Sequence, residues 1–277
     1  MHLRPVTVAD KPELLVVEGK STPNLSYLPA VYELFMADAP LGEFMLVEEQ
    51  GVVLGCAKYT LFPDGSAWLE TLRVTPQAQG RGLGKRMYER FFELAREQGV
   101  PTMRMYTGIE NAVSKGLAEH FGFTLEETFN GFTRGVAAGP VASAFRRVTD
   151  ETEATALLMP LRATWGNFLV MNRTFLPFNE AVCADLARQG MVYASAENVV
   201  VLGARFSPEK ALHVLLFSGN AAECLSFAAS VARERGAGQL VCICPAANTA
   251  AQDALKHAEF TPDRGQYIVM KVNVQQV

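Results

Sequence analysis

Residues 68–99 join a strand pattern, a glycine-rich turn and a helix pattern, and this junction limits what the chain can fold into. An apolar run ends at Pro76, and three alternating glycines (Gly80, Gly82 and Gly84) then lead into a charged amphipathic helix. Glycines let the backbone turn tightly and approach a ligand with no side chain in the way. The first N–H groups of the helix point outward, unpaired, at its positive end. The junction therefore predicts an anion site with a phosphate or pyrophosphate as its occupant.

Three phosphate-loop patterns compete for this segment. A P-loop needs a Ser or Thr hydroxyl after its lysine, and Arg86 stands at that position. A dinucleotide loop needs G-x-G-x-x-G, and the third glycine is missing. The pattern that fits is Q-x-x-G-x-G, formed by Gln79, Gly82 and Gly84. A plain glycine-rich surface turn is the alternative, and the strand before the loop and the helix after it argue against that alternative.

This stretch closely resembles the pyrophosphate loop of the GNAT superfamily, the acyl-CoA-dependent N-acyltransferases. The preceding L-x-V-x-P sequence (Leu72, Val74 and Pro76) resembles the fourth strand of that family and its exit turn. The resemblance implies a mixed twisted sheet flanked by helices and acetyl-CoA as the acyl donor. The positions that it assigns to cofactor binding are Leu72, Val74, Gln79, Gly80, Arg81, Gly82, Leu83, Gly84, Lys85 and Asn111.

The resemblance also implies particular roles on the loop strand and at the loop. The backbone N–H of Leu72 is the expected donor to the acetyl oxygen, and Val74 is expected to pair with the pantetheine arm as a neighbouring strand would. Preorganised donors of this kind typically contribute a few kcal/mol to lowering a barrier. Arg81, Lys85 and Arg86 surround the loop, where they meet either a phosphate or only solvent. Since a helix start normally prefers acidic side chains, three basic ones favour a bound anion.

Glu70 is the candidate general base, acting directly or through a water. It precedes Leu72 by two residues and so shares its face of the strand, with Trp68 on the same face. A carboxylate among apolar neighbours is desolvated, which raises its pKa toward a value useful for proton transfer. The alternatives are a solvated glutamate at the end of a strand or an ion-pair partner for Arg73.

The predicted helix after the next strand departs from the family pattern N-x-x-A-x-x-x-Y-x-x-x-G-F. Three of its positions match: Asn111, Gly122 and Phe123. Ser114 replaces the alanine, and Ala118 stands where the family has a tyrosine that protonates the leaving sulfur. Tyr106, His120 and bulk water are the remaining candidates for the general acid. Asn111 is explained equally well as a helix N-cap and as a CoA contact.

The chain repeats itself. A shift of 137 residues places Gly82 on Gly219, Gly99 on Gly236, and AREQG over ARERG. Agreement at several landmarks indicates a tandem duplication. We predict an α/β (α+β) fold in two copies, a GNAT-like catalytic domain over residues 1–138 and a degenerate GNAT-like domain over 144–277. The junction is expected within 135–143, a stretch of small residues with Gly and Pro.

The second copy lacks the basic residues that accompany the glycine loop of the first copy. No Lys or Arg accompanies Gly219 and Ala221 at the start of the corresponding helix. We therefore expect residues 144–277 to be a packing or substrate-cleft element, with a second active site as the alternative.

Asn-Gly and Gln-Gly pairs predict two hairpin turns in the first copy, at Gln50-Gly51 and at Asn130-Gly131.

Composition excludes several kinds of partner. The net charge of −4 argues against nucleic acid as a partner, because such domains usually carry a basic face. No apolar run approaches the roughly 20 residues that span a bilayer, and the N-terminal pattern is not that of a signal peptide, which favours a cytoplasmic protein. The five cysteines lack the spacing of metal ligands, so no metal is expected.

The leading hypothesis is an N-acetyltransferase that moves acetyl from acetyl-CoA to a primary amine of a small molecule or peptide. The competing hypothesis is a non-catalytic acyl-CoA-binding or regulatory module, and its basis is Ala118 together with the degenerate second copy. The acceptor, the acyl-chain preference and the oligomeric state stay open at this stage.

Overall fold

The computed structural model of the protein describes residues 1–23, 26–38, 41–136 and 145–276. It divides into two compact units. The first comprises Met1–Thr107, Asn111–Leu125 and Met270–Val277, and the second comprises Gly108–Glu110 and Glu126–Val269. Most of the predicted junction, residues 135–143, lies outside the described residues.

The first half of the chain supplies the following elements. They are β1 (His2–Pro5), α1 (Lys11–Ser21), α2 (Leu28–Ala37), β2 (Glu43–Glu49), β3 (Val52–Leu61), β4 (Ala67–Val74), α3 (Leu83–Glu97), β5 (Thr102–Gly108), α4 (Ala112–His120) and β6 (Thr124–Gly135).

The second half supplies the remaining elements. They are β7 (Arg146–Val148), α5 (Glu151–Leu158), α6 (Arg162–Trp165), β8 (Phe168–Met171), β9 (Thr174–Pro177), α7 (Glu180–Arg188), β10 (Val192–Ala194), β11 (Val199–Gly203), β12 (Ala211–Ser218), α8 (Ala221–Glu234), β13 (Gln239–Pro245), α9 (Thr249–His257) and β14 (Thr261–Asn273).

Each unit contains a run of strands in mixed orientation together with helices. In the first unit the strand order is β1-β2-β3-β4-β5, antiparallel except for the parallel pair β4–β5. In the second it is β6-β13-β12-β11-β10-β7, antiparallel except for the parallel pair β12–β13. The same strand arrangement in both units confirms the predicted duplicated α/β (α+β) fold.

Part of the last strand of each sequence half belongs to the unit that the other half builds. Residues Glu126–Gly135 of β6 lie in the second unit, where the strand pairs with β13 from Phe129–Pro245 to Gly135–Gln239. The chain from Met270 onward lies in the first unit, where the N–H of Val274 donates to the carbonyl of Pro101 at 2.9 Å. The sequence pattern gave no indication of this exchange.

Of the two predicted hairpin turns, one is confirmed and one is wrong. Gln50 and Gly51 have φ of 51° and 78°, the left-handed pair that a tight two-residue turn between β2 and β3 requires. Around Asn130-Gly131 the chain does not turn, because β6 runs unbroken from Thr124 to Gly135. Its ladder with β13 outweighs the local turn preference, and Gly131 lies directly opposite Ile243.

The helix that follows the glycine loop packs on an aromatic cluster. The apolar face of α3 buries Tyr88, Phe91 and Phe92, and the ring of Tyr88 lies 4.9 Å from that of Phe121 and 5.7 Å from that of Phe123. Packing of this amphipathic helix against the sheet and the end of α4 fixes the position of its N-terminus.

A buried carboxylate fixes the start of α2. Glu18, which is 3% exposed, accepts the backbone N–H of Tyr27 at 3.1 Å and that of Leu28 at 3.0 Å. These are N–H groups that a helix start leaves without a helical partner, and a carboxylate also suits the positive end of the helix. The α1–α2 segment is thereby tied to a single geometry.

We expect Glu18→Ala to lower the free energy of unfolding by about 1–3 kcal/mol, because it leaves buried N–H groups without an acceptor. Urea unfolding followed by circular dichroism measures the loss. Glu13→Ala, at an exposed position of the same helix, is the matched control and should change stability little. Equal losses in the two variants would contradict the role of Glu18.

Candidate functional site

Strands β4 and β5 part midway along their length. Their parallel pairing joins Ala67–Leu69 with Met103–Met105, although β4 continues to Val74 and β5 continues past Met105. Beyond Leu69 the edge of β4 is therefore no longer paired with β5. Glu70 is the first residue past the last paired position.

A bulge in β4 follows directly. The register with β3 passes from Lys58–Glu70 to Cys56–Arg73, so that Thr71 and Leu72 together stand opposite one residue of β3. Thr71 has a φ of 61°, which is a genuine outlier for a β-branched residue. Its buried hydroxyl has no hydrogen-bond partner among the described residues. Bulges re-aim side chains and backbone groups beside active sites, and strain of this kind is concentrated there.

The Glu70 carboxylate is buried rather than solvated. It is 7% exposed. The hydroxyl of Thr60 on β3 donates to Oε1 at 2.7 Å, and the hydroxyl of Tyr27, immediately before α2, donates to Oε2 at 3.0 Å. The candidate base therefore lies where β4 leaves β5 and is held by donors from two different elements.

The glycine loop forms an open cradle at the start of α3. Gly82 is the N-cap of α3 with a φ of 80°, and Gly80 has a φ of 75°. At both residues a Cβ would meet no heavy atom within 4 Å. The first backbone hydrogen bond of the helix runs from the N–H of Arg86 to the carbonyl of Gly82, which leaves the N–H groups of residues 83–85 without a helical partner. This geometry fits a pyrophosphate.

Gly84 has a different role from its neighbours. A Cβ on Gly84 would lie 2.9 Å from Cδ2 of Leu117, so the missing side chain lets α3 approach α4 closely. Leu83 beside it is buried in the core. Gln79, the first residue of the motif, donates from Nε2 to the carbonyl of Val74 at 3.4 Å and so ties the loop to the end of β4.

The basic residues around the loop already have protein contacts. Nη2 of Arg81 lies 2.7 Å from Oε2 of Glu49, and Nη1 of Arg86 donates to the carbonyl of Met1 at 3.3 Å. Arg81 lowers the pKa of the Glu49 carboxyl by its hydrogen bond. Both partners of this pair are exposed, and exposed pairs of this kind are weak, so a phosphate competes readily for Arg81. Lys85 is exposed at the helix start.

The predicted residues of the fourth helix lie at its two ends. Asn111 is the N-cap of α4, and its Oδ1 accepts the N–H of Ser114 at 3.1 Å. Ala118 is fully buried, and His120 is exposed in the last turn. Tyr106 on β5 lies parallel to the buried ring of Trp68, with ring centroids 6.0 Å apart.

Two residues of the site have no signal in the sequence. Tyr27 precedes α2 in a segment without a motif, and Thr60 is a threonine in an ordinary strand pattern. Their link to Glu70 depends on how the α1–α2 segment folds over β3 and β4. Only the alternation of β3, which places Thr60 opposite Trp68, could have pointed to one of them.

The corresponding junction in the second unit is shorter. β12 ends at Ser218 and α8 begins at Ala221, so two residues stand where the first unit has residues 75–82. A Cβ on Gly219 would lie 2.4 Å from both Oδ1 of Asn198 and the carbonyl oxygen of Glu197. No open cradle exists at this glycine.

Protein groups occupy the start of α8. Oδ1 of Asn198 accepts the N–H of Asn220 at 2.6 Å, and Oδ1 of Asn220 accepts the N–H of Glu223 at 3.2 Å. Glu223 also places an acidic side chain in the first turn, where it repels an anion. These groups leave no open anion cradle at the start of α8.

The β8–β9 hairpin lies against the parallel strands of the second unit. β8 is buried throughout and contacts both β12 and β13. The N–H of Asn172, in the turn of this hairpin, lies 3.2 Å from Nε2 of His213. His213 is the last residue of β12 that pairs with β13. Burial, with a smaller contribution from the charge of Arg173, lowers the pKa of His213 to about 4.

Within the described ranges, no cluster of three or more His, Cys, Asp or Glu side chains has an arrangement suited to a metal ion. The five cysteines are free thiols, and all of them are buried. Among the helices of these same ranges, none has the length and apolar character needed to cross a membrane.

Comparisons with known proteins agree with the geometry. Residues 13–123 match the sequence model of the acetyltransferase (GNAT) family. A mycothiol acetyltransferase of Beutenbergia cavernae is 45% identical over 53 residues, which cover 19% of this chain and 18% of that protein. The chain therefore spans a small part of this relative.

Two solved structures share the fold over nearly the whole chain. A GCN5-related N-acetyltransferase from Sphaerobacter thermophilus is 12% identical, with a TM-score of 0.67 and coverage of 99% of this chain and 95% of that one. A tandem GNAT protein from the clavulanic acid biosynthesis pathway is 14% identical, with a TM-score of 0.62 and coverage of 99% and 98%. The fold is that of GNAT proteins. The match of residues 13–123 to the GNAT family model confirms the resemblance stated for the glycine loop.

We expect Gly82→Ala to weaken the binding of CoA sharply, because the new methyl group enters the open cradle in front of the helix start. Isothermal titration calorimetry with CoA measures the effect. Gly236→Ala is the matched control, since Gly236 also has a left-handed φ, of 69°, with no atom within 4 Å of a Cβ. In both variants an alanine must adopt a left-handed φ, so both carry the same backbone strain. Weaker binding of CoA in both variants would mean that the strain destabilises the protein, and not that the methyl group blocks the cradle.

We expect the second unit to lose stability as pH falls from about 6.5 to about 4. In that window the unfolded chain protonates His213 and the folded chain does not, so the free energy of unfolding falls with a slope of at most about 1.4 kcal/mol per pH unit. His213→Gln keeps an acceptor for Asn172 and should flatten this part of the curve. His257→Gln, at an exposed histidine, should leave the curve unchanged in urea unfolding from pH 4 to 7.

Proposed function

We propose that this protein transfers an acetyl group from acetyl-CoA to a primary amine of a small molecule or peptide, by direct attack and with Glu70 as general base. The observation that supports it best is the position of Glu70, a buried carboxylate at the point where β4 leaves β5. The open glycine cradle at the start of α3 follows on the same strand–loop–helix segment. The match of residues 13–123 to the GNAT family model supports the acetyl transfer.

The first half supplies the acyl-CoA contacts in this proposal. The N–H groups at the start of α3, with Gly80, Gly82 and the neighbouring cations, bind the pyrophosphate. The unpaired edge of β4 at Val74 takes the pantetheine arm as an added strand would be taken. The N–H of Leu72, in the bulge, donates to the acetyl oxygen as negative charge develops there.

Glu70 performs the proton transfer. A proton moves from the acceptor ammonium to a carboxylate oxygen, and the freed lone pair of the nitrogen attacks the thioester carbonyl carbon. The C–N bond forms, the nitrogen gives up a second proton to solvent, and the C–S bond breaks, so that the thiolate leaves. Since Ala118 has no proton to give, Tyr106, His120 or solvent protonates the sulfur. Bases positioned in this way typically accelerate a reaction by roughly 10²- to 10⁴-fold.

The second half has a supporting role in this proposal. Residues 1–138 carry the reaction, and residues 144–277 form the degenerate domain. The filled helix start at Gly219 and Asn220 is the reason for placing one acyl-CoA site, and not two, in the chain. A non-catalytic acyl-CoA-binding module, which the buried Ala118 favours, is the second candidate.

We expect the wild-type protein to release thiol from acetyl-CoA with at least one member of a panel of small amines, peptides and compounds related to mycothiol. Glu70→Gln should lower kcat by roughly 10²- to 10⁴-fold and leave the Kd of acetyl-CoA nearly unchanged, since the base acts on the acceptor. Glu89→Gln, on the exposed face of α3, is the control for loss of one negative charge.

Two outcomes would contradict the proposal. Normal turnover by Glu70→Gln would place the base elsewhere. Tight binding of acetyl-CoA without thiol release for any amine would favour the binding module.

A further inference from the structure

A tyrosine hydroxyl links the segment before α2 to the candidate base. Oη of Tyr27 donates to Oε2 of Glu70 at 3.0 Å, across a wide separation in sequence. Thr60 donates to the other oxygen at 2.7 Å. Glu70 and Thr60 are each 7% exposed, whereas Tyr27 is only partly buried, so Tyr27 is the member of this trio that reaches furthest toward solvent.

Contacts of both its backbone and its ring hold Tyr27 in position. Its N–H donates to the buried carboxylate of Glu18 at 3.1 Å, and its ring lies 6.3 Å from that of Phe35 on α2. Three elements therefore determine where the hydroxyl points: α1 through Glu18, α2 through Phe35, and β4 through Glu70. A hydroxyl held in this way is preorganised, because little conformational freedom remains to be lost at the moment of reaction.

Two donors from different elements fix the plane of the Glu70 carboxylate. A single donor such as Thr60 would leave rotation about the last side-chain bond, which is broad for glutamate. The orientation of the carboxylate, and with it the direction from which it can accept the proton of an ammonium, is therefore set by the two hydroxyl groups.

We infer that Tyr27 is a positioning residue for Glu70, so that the segment before α2 sets the geometry of proton transfer as well as covering the acceptor side of β4. The inference rests on the proposed function, since it assigns a role in the reaction of Glu70. If Tyr27 had a structural role alone, its hydrogen bond would hold α2 against the sheet and would contribute only to the free energy of unfolding. The two roles differ in what Tyr27→Phe changes, because this variant keeps the ring and removes only the hydroxyl.

The experiment compares steady-state kinetics of the full chain with acetyl-CoA and the best acceptor from the amine panel. Tyr27→Phe should lower kcat by up to about 100-fold with an unchanged KM for acetyl-CoA, as expected when a reacting group is misplaced. Tyr32→Phe is the matched control, because its hydroxyl donates to the carbonyl of Thr7 at 2.8 Å and not to Glu70. Thr60→Val should lower kcat as well, and Thr60→Ser, which keeps the hydroxyl, should restore it.

A double-mutant cycle separates positioning from an independent effect. Once Glu70→Gln has removed the base, adding Tyr27→Phe should lower kcat no further. The contact can also be checked without turnover by the carboxyl ¹³C NMR signal of Glu70, which is assigned by its absence in Glu70→Gln. This signal should shift in Tyr27→Phe and should not shift in Tyr32→Phe.

The outcomes separate this inference from the proposed function. Wild-type kcat in Tyr27→Phe, or losses that multiply in the double mutant, would overturn the positioning role while acetyl transfer stands. A lower melting temperature at unchanged kcat would assign Tyr27 a structural role alone. Absence of thiol release from the wild-type protein with every amine would overturn the proposed function, and the inference with it.

Discussion

The termination of the β4–β5 ladder at Leu69 and Met105 is the constraint on which the rest of the site depends. A parallel pair that continued to the end of both strands would use the backbone groups of residues 70–74 in the sheet. Because the pair stops, the backbone groups of β4 beyond Leu69 are not used in a ladder with β5, and Glu70 is the first residue past that point. The bulge at Thr71 adds to this effect, since it removes two residues from the ladder on the β3 side as well.

The two units differ at the junction between the parallel strand and the helix that follows it. Both have a parallel pair that ends early, a bulge in the neighbouring ladder and a helix that follows the strand. In the first unit, residues 75–82 provide enough chain to wrap around a ligand, and the space at Gly82 is empty. In the second, residues 219 and 220 make the connection directly, and Asn198 fills the equivalent space. The difference lies in the length of the loop and in the groups beside it, not in the strand arrangement.

Local features of the site could be predicted from the sequence, and nonlocal ones could not. The loop around Gly82 is a short-range pattern whose backbone geometry follows from its glycines, and the placement of Glu70 follows from strand alternation. The contact between Tyr27 and Glu70 depends on the packing of the α1–α2 segment, which no local pattern encodes. The predicted turn at Asn130-Gly131 was wrong for the same reason. The hydrogen bonds that keep β6 extended there come from β13, which is distant in the sequence.

The exchange of final strands has a consequence for how the chain folds during synthesis. The first unit includes Met270–Val277, and the bond between Pro101 and Val274 joins residues from distant parts of the sequence. Contacts of such long sequence separation form late, since the loop between them must close first. The segment that carries the glycine loop is translated before residues 270–277, so the first unit cannot be complete until these residues have left the ribosome. Until then its surface is incomplete and open to contact with other chains, and a chaperone that shields it would favour the native contact.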